Sequence, residues 1–120
     1  MKPSLIKDKS YAFALRTIAL ARWLKEQKEF EIAGQVQRSG TAIGSNVEEA
    51  LAGVSRADFI AKMSIASKEA RETHSWLRLL RDSKLVPGAK ISPLESKSLE
   101  LIRILTAIVK TSQTSDSTKY

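Results

Sequence analysis

The chain has 120 residues, a length that suits one domain with one hydrophobic core. It has no cysteine, which excludes disulfides and thiolate metal sites, and its formal net charge of +7 is compatible with an anionic partner such as nucleic acid. No apolar run reaches the roughly 20 residues that a membrane-spanning helix needs, and the N-terminal stretch lacks the apolar core of a signal peptide. We therefore expect a soluble, cytoplasmic protein that does not associate with membranes.

The first predicted helix runs from about residue 8 to residue 28 and is apolar on two sides. At 100° per residue, its large apolar side chains form two nearly opposite groups: Tyr11, Leu15 and Ile18, and Phe13, Leu20 and Leu24. A helix that is apolar nearly all round is buried on more than one side. In a domain this small, the second apolar side predicts a subunit interface.

The second predicted helix, residues 31–51, contains features that weaken an isolated helix. Gly40 and Gly44 each cost about 1 kcal/mol relative to Ala in a helix interior. Polar residues also lie close to its apolar stripe. We expect neighbouring elements to stabilise it, the third helix on one side and another subunit on the other, with the glycines permitting close approach.

Two capping patterns predict where the last two helices begin. Ser55 and Asp58 form a Ser-x-x-acid variant of the capping box, which starts a helix that should end near residue 82. Ser92, Pro93 and Glu95 form a second box and predict that the fourth helix begins there.

Four helices with short links predict an all-α fold, an antiparallel up-down four-helix bundle. The bundle should occupy residues 1–110. Residues 111–120 are rich in Ser and Thr and are expected to form a disordered tail.

Residue patterns needed for catalysis or metal binding are missing from the sequence. A di-metal bundle requires two Glu-x-x-His pairs, but His74 is the single histidine and Arg71 stands where its Glu would be needed. No phosphate loop or dinucleotide-binding fingerprint occurs. We predict no catalytic residues, no metal, no cofactor and no enzymatic activity, with His74 packed or half-exposed.

A set of polar residues is predicted to meet where the second and third helices pack. Arg38 can pair there with Glu69 or Glu72, and Asn46 can bridge backbone or carboxylate groups. Such a network selects one helix register at a cost in desolvation, and a ligand site is the alternative interpretation. The predicted members of this structural network are Gln35, Arg38, Asn46, Glu49, Glu69, Glu72 and Trp76.

Two stretches, QVQRSGTAIGSNVEEA (35–50) and DFIAKMSIASKEARETHSWLRLL (58–80), resemble the bacterial 23S rRNA intervening-sequence protein family, also called the four-helix-bundle protein family. The similarity covers roughly residues 5–110. Ala50 is a departure, because many members carry Gly there. The matching positions are Gln35, Arg38, Ser39, Ile43, Asn46, Glu49, Phe59, Ala66, Glu69, Glu72, Trp76 and Leu77.

The resemblance implies an up-down bundle that assembles into a ring, typically a homopentamer, with no known enzymatic activity. Some members are encoded within insertions in large-subunit ribosomal RNA genes. A related branch comprises accessory proteins of diversity-generating retroelements, which work with a reverse transcriptase and RNA.

Two functions remain open at the level of sequence. The first is binding of RNA or single-stranded DNA by a homo-oligomer through Lys68, Arg71 and Arg78, which helical spacing places together, away from the apolar stripe of the third helix. Arg16 and Lys25 on the first helix are further basic candidates. The alternative is a protein-interaction scaffold or accessory subunit that docks a partner such as a reverse transcriptase.

Overall fold

Four helices make up most of the chain in the structure, which is a computed structural model. It describes residues 3–118, with side chains from Leu5 to Thr114. The helices are α1 (Pro3–Glu26), α2 (Phe30–Leu51), α3 (Arg56–Asp82) and α4 (Gly88–Thr118). No strand occurs within residues 3–118, so the prediction of an all-α fold is confirmed.

The start of α1 lies five residues before the predicted one. Pro3 suits a first turn because the N–H that proline lacks would have no partner within the helix. Ile6 is fully buried, and its burial ties this extra turn to the core. α1 ends where Lys28 adopts a φ of 66°, while the Glu29 N–H donates to the Leu24 carbonyl at 2.9 Å.

The two predicted capping boxes have different outcomes. Ser55 is the N-cap of α3, and its hydroxyl accepts a bond from the Asp58 N–H at 3.0 Å, as predicted. The second box is wrong as a helix start, since α4 begins at Gly88 and Pro93 lies inside it. Burial of Val86 and Ile91 holds the added turn against the core, which offsets the single backbone bond that Pro93 cannot donate.

α4 extends past residue 110, where the disordered tail was expected to begin. The Ser112 and Thr114 hydroxyls donate to carbonyls one turn earlier, at 2.8 and 2.9 Å. Arg56 NH1 donates to the Ser112 carbonyl at 3.4 Å, which links this end of α4 to the start of α3. Residues 119 and 120 lie outside the described residues.

Each helix packs against two others in a body measuring 54 × 22 × 20 Å. The contacting pairs are α1–α2, α2–α3, α3–α4 and α1–α4, and the last is the least extensive. Each helix directs apolar residues into one shared core. The largest fully buried side chains are Phe13, Ile6, Leu24, Ile43, Met63, Leu77, Leu80, Ile91, Leu101, Leu105, Val36 and Val47.

Gly40 and Gly44 of α2 lie against α1 rather than against α3. A Cβ built on Gly40 would be 2.5–2.7 Å from three side-chain atoms of Thr17. A Cβ on Gly44 would be 3.4 Å from the Ser10 carbonyl oxygen. Close approach of helices, expected from the glycines, therefore occurs within the subunit, and it explains why α2 tolerates residues of low helix propensity.

Candidate nucleic-acid interface

The three basic candidates on α3 lie on one exposed surface, and α4 adds a fourth cation to it. Lys68, Arg71 and Arg78 are all exposed. Arg71 NH2 donates to Thr106 Oγ1 on α4 at 3.0 Å, so its guanidinium is held at the edge of α4. Lys110 of α4 lines the same groove as Arg71. We call these four cations the α3/α4 basic surface.

Three hydroxyl residues and two cations line the groove within this surface, together with Val109 and Gln113. Its volume is about 240 Å³, and Ser64, Ser67 and Thr106 contribute hydroxyl groups beside Arg71 and Lys110. None of the four cations forms an ion pair with a residue whose side chain the structure describes. Hydroxyl donors and unneutralised cations are the groups that contact phosphate oxygens in nucleic-acid complexes.

The polar network predicted between α2 and α3 centres on one arginine and two glutamates. Arg38 NH1 lies 3.4 Å from Glu69 Oε2, and Arg38 NH2 contacts Glu72 Oε2. Trp76 Nε1 donates to the same Glu72 oxygen at 3.3 Å. The Arg38 side chain is 50% exposed and that of Glu69 15% exposed, so Arg38 lies at the rim of the helix pair rather than inside it.

The inner position beside Arg38 is occupied by two small hydroxyl residues, which explains why the arginine lies outside. Ser39 and Thr73 are fully buried, and their hydroxyl oxygens are 2.8 Å apart. Their hydroxyl groups occupy the inner position between α2 and α3, and the Arg38 guanidinium lies outside them. The sequence reasoning missed this pair, although Thr73 lies one position from Glu72 of the predicted network.

The remaining predicted members of the network are separated from its centre. The Asn46 amide donates to the Ala42 carbonyl of its own helix at 2.8 Å. Glu49 pairs with Lys62 at 3.8 Å, and Gln35 lines a different groove beside Trp76. Asn46 forms no hydrogen bond with a carboxylate among the described side chains, so its predicted bridging role is limited to a backbone carbonyl.

Replacing Arg38 with Ala is expected to lower stability more than replacing Lys68 with Ala. Arg38→Ala leaves the largely buried Glu69 carboxylate beside Glu72 without a cation, at a cost of about 1 kcal/mol for a half-exposed pair. Lys68→Ala should stay within about 0.5 kcal/mol. Thermal unfolding of both variants tests this, and equal midpoints would contradict the pairing.

His74 lies at the other side of α3 and contacts α4. Its Nδ1 atom is 2.9 Å from Ser98 Oγ. Burial lowers the pKa of His74, Glu95 raises it, and Arg78 and Arg81 lower it further, with a net decrease. The imidazole therefore favours its neutral form as a packed, half-buried side chain, which agrees with the prediction from sequence.

Two exposed apolar areas lie away from the basic surface. On α1, Tyr11 and Leu15 are 59% and 55% exposed. Beside the α1–α2 turn, Phe30, Trp76 and Leu85 line an open groove of about 670 Å³. The outer side of α1 was predicted to be apolar, whereas the groove was not, because its residues come from three separate stretches of sequence.

Neither a cluster of metal ligands nor a membrane-spanning helix occurs in the described part of the chain. Within residues 3–118, no group of three or more His, Cys, Asp or Glu side chains is arranged to hold a metal ion. No helix in that range combines the length and apolar content that crossing a bilayer requires.

Comparison with known proteins shows the family. The family described as 23S rRNA-intervening sequence protein matches residues 3–107. The chain is similar to a crystallised protein of unknown function from the S23 ribosomal protein family of Bacteroides thetaiotaomicron, with 44% identity over 92% of this chain and 99% of that chain and a TM-score of 0.87. No curated protein matches. Since the family match and this neighbour both span most of the sequence and the fold, the chain belongs to the 23S rRNA-intervening sequence protein family.

Proposed function

We propose that this protein is a non-enzymatic, cytoplasmic homo-oligomer that binds RNA or single-stranded DNA through the α3/α4 basic surface. The observation that carries the proposal is that Arg71 and Lys110 line one groove with three hydroxyl residues, while helical spacing places Lys68 and Arg78 on the same exposed side of α3 as Arg71. No aromatic side chain lines that groove, so contacts there would be with phosphates and would tolerate any base sequence.

Reversing the charge of Lys68, Arg71 and Arg78 to Glu should weaken binding and its dependence on salt. Single-stranded binding loses affinity with a log–log slope of about −0.7 per phosphate contact, so the slope should flatten by up to about 2. Fluorescence anisotropy of a labelled oligonucleotide at several salt concentrations measures this. Lys7, Lys62 and Lys84 reversed together provide a control with the same change in net charge elsewhere on the surface.

The outcomes of this titration separate the two candidate functions. Equal slopes for the triple variant and its control would show that the α3/α4 basic surface does not bind the oligonucleotide. Absence of binding by the unmodified protein at low salt would overturn the nucleic-acid proposal and favour a scaffold that docks a protein partner.

The proposed oligomer is a ring of up-down bundles, typically a pentamer, built from two different apolar areas. The outer stripe of α1, which comprises Tyr11, Leu15 and Ile18, meets the groove of Phe30, Trp76 and Leu85 on the next subunit. Arg22 lies on the same side of α1 by helical phase. The groove is lined by two carboxylates, Glu29 and Glu31, and one cation, Lys28, so its net negative charge is complementary to Arg22. Contacts between two unlike patches generate rings when the rotation closes.

Mixing two interface variants tests this arrangement. Size exclusion with light scattering should show an oligomer for the unmodified protein and monomers for Leu15→Glu and for Phe30→Glu. Each variant keeps one intact patch, so a mixture should form a dimer that grows no further. A monomeric unmodified protein, or recovery of the full oligomer in the mixture, would contradict the ring.

A further inference from the structure

We propose that the seam between α1 and α4 is a second contact for single-stranded nucleic acid, in which Trp23 stacks on a base and the surrounding cations hold the adjacent phosphates. This inference rests on the proposed function and adds a named subsite to it. The residues of the seam are distant in sequence from Lys68, Arg71 and Arg78. The seam is formed by α1 and by the side of α4 opposite to Lys110.

The seam contains two adjoining notches that share Arg16. The larger has a volume of about 210 Å³ and is lined by Ala19, Leu20, Trp23, Pro93 and Leu94, with Arg16 and Lys90 as its two cations. The smaller, of about 120 Å³, lies between Lys9, Arg16, Lys97 and Glu100. The seam stays open because α1 and α4 have the least extensive contact of the four packed pairs.

The larger notch combines an apolar floor with cations at its rim. Lys90 Nζ lies 5.5 Å from the centroid of the Trp23 ring, and that ring is partly buried against the core. A cation at this distance occupies the ring face that a base would use. Lys90 has a long flexible side chain, so it can leave the ring and contact a phosphate when a base stacks on Trp23.

The charge along the seam favours a polyanion over a neutral ligand. Four cations, Lys9, Arg16, Lys90 and Lys97, face one carboxylate, Glu100, which pairs with Lys9 at 3.2 Å. Arg16, Lys90 and Lys97 have no ion-pair partner among the described side chains. Lys9 and Trp23 are separated by fourteen positions on α1, about 21 Å at 1.5 Å per residue, which is long enough to accommodate several nucleotides.

An aromatic platform beside unpaired cations is the arrangement by which proteins bind single strands without reading their sequence. The α3/α4 groove has the cations but no aromatic lining, whereas this seam has both. The two surfaces would therefore differ in chemistry: the first contacts phosphates, and the second contacts a base as well.

The two tryptophans of the chain make the inference directly measurable. Trp76 belongs to the network on the far side of α3, so the full-length Trp76→Phe protein reports on Trp23 alone. We expect saturable quenching of its fluorescence by an oligothymidylate of about ten nucleotides, within the range of single-strand site sizes. An abasic oligonucleotide of the same length and charge should quench the fluorescence much less, and poly-glutamate should not quench it.

Charge reversal on α1 supplies a matched pair of variants. Arg16→Glu removes a cation from both notches, and Lys7→Glu makes the same charge change on the same helix outside them. Arg16→Glu should raise the Kd for the oligonucleotide at low salt at least about fivefold more than Lys7→Glu does. Both positions are exposed, so both variants should remain folded.

These titrations distinguish binding at the seam from binding at the α3/α4 basic surface. Quenching that requires bases and is lost in Arg16→Glu supports the seam. Oligonucleotide binding detected by anisotropy without any change in Trp23 emission overturns the seam but leaves the α3/α4 proposal standing. Equal quenching by poly-glutamate overturns base stacking, and no binding by any method at low salt overturns both proposals.

Discussion

Replacing Gly40 with Ala should destabilise the protein by about 1–3 kcal/mol, the usual cost of overpacking a tight contact. The new Cβ would lie 2.7 Å from Thr17 Cβ as well as 2.5 Å from its methyl carbon, so rotation of the Thr17 side chain cannot remove the overlap. α1 and α2 must move apart instead. This loss exceeds the gain of about 1 kcal/mol that Ala provides over Gly in a helix interior.

Gly34 is the matched control for this prediction. It lies in the same helix, it is exposed, and no atom lies within 4 Å of a Cβ built on it. Gly34→Ala should therefore stabilise the protein by about 0.5–1 kcal/mol through helix propensity alone. Urea unfolding of the two variants should give shifts of opposite sign, and a gain in stability from both would disprove the close approach of α1 and α2.

Replacing Leu24 with Ala should cost about 2–5 kcal/mol, whereas the same change at Leu15 should not unfold the subunit. Leu24 is fully buried in the core, and its truncation leaves a cavity. Leu15 is 55% exposed on the outer side of the same helix. The two leucines have the same chemistry and helix propensity, so the difference between the variants isolates the effect of burial.

The dependence of the unfolding midpoint on protein concentration also distinguishes Leu24 from Leu15. Thermal unfolding of Leu24→Ala should show the loss of stability at every concentration, because the cavity is inside one subunit. A lowered midpoint in Leu15→Ala should depend on concentration, because that residue belongs to the proposed subunit contact. Equal and concentration-independent losses would show that both sides of α1 are buried within a single chain.

The predicted fold followed from local patterns that act over one or two helical turns. Ser55 caps α3 because its hydroxyl reaches the N–H three residues later, a contact that needs no other part of the chain. The start of α4 was mispredicted for a related reason. The Ser92–Glu95 box is a valid local signal, but the buried Val86 and Ile91 add a turn before it.

The candidate surfaces differ in how far local patterns could reveal them. Lys68, Arg71 and Arg78 are on one helix, and their spacing alone places them together. Trp23 and Lys90 belong to different helices, so nothing in their local sequence relates them. The same holds for Phe30, Trp76 and Leu85, which meet only at the end of the molecule that carries the α1–α2 and α3–α4 turns.

Helical periodicity and capping chemistry therefore account for the number of helices, their faces and the basic stripe on α3, because these depend on neighbours within a turn. Which apolar side of α1 enters the core depended on the packing of all four helices, because Phe13 is buried and Leu15 is exposed although both are large apolar residues of the same helix. The same packing placed Arg38 at a rim and left the α1–α4 seam open. Such outcomes are decided by the shape and volume of side chains that lie far apart in the chain, which periodicity does not encode.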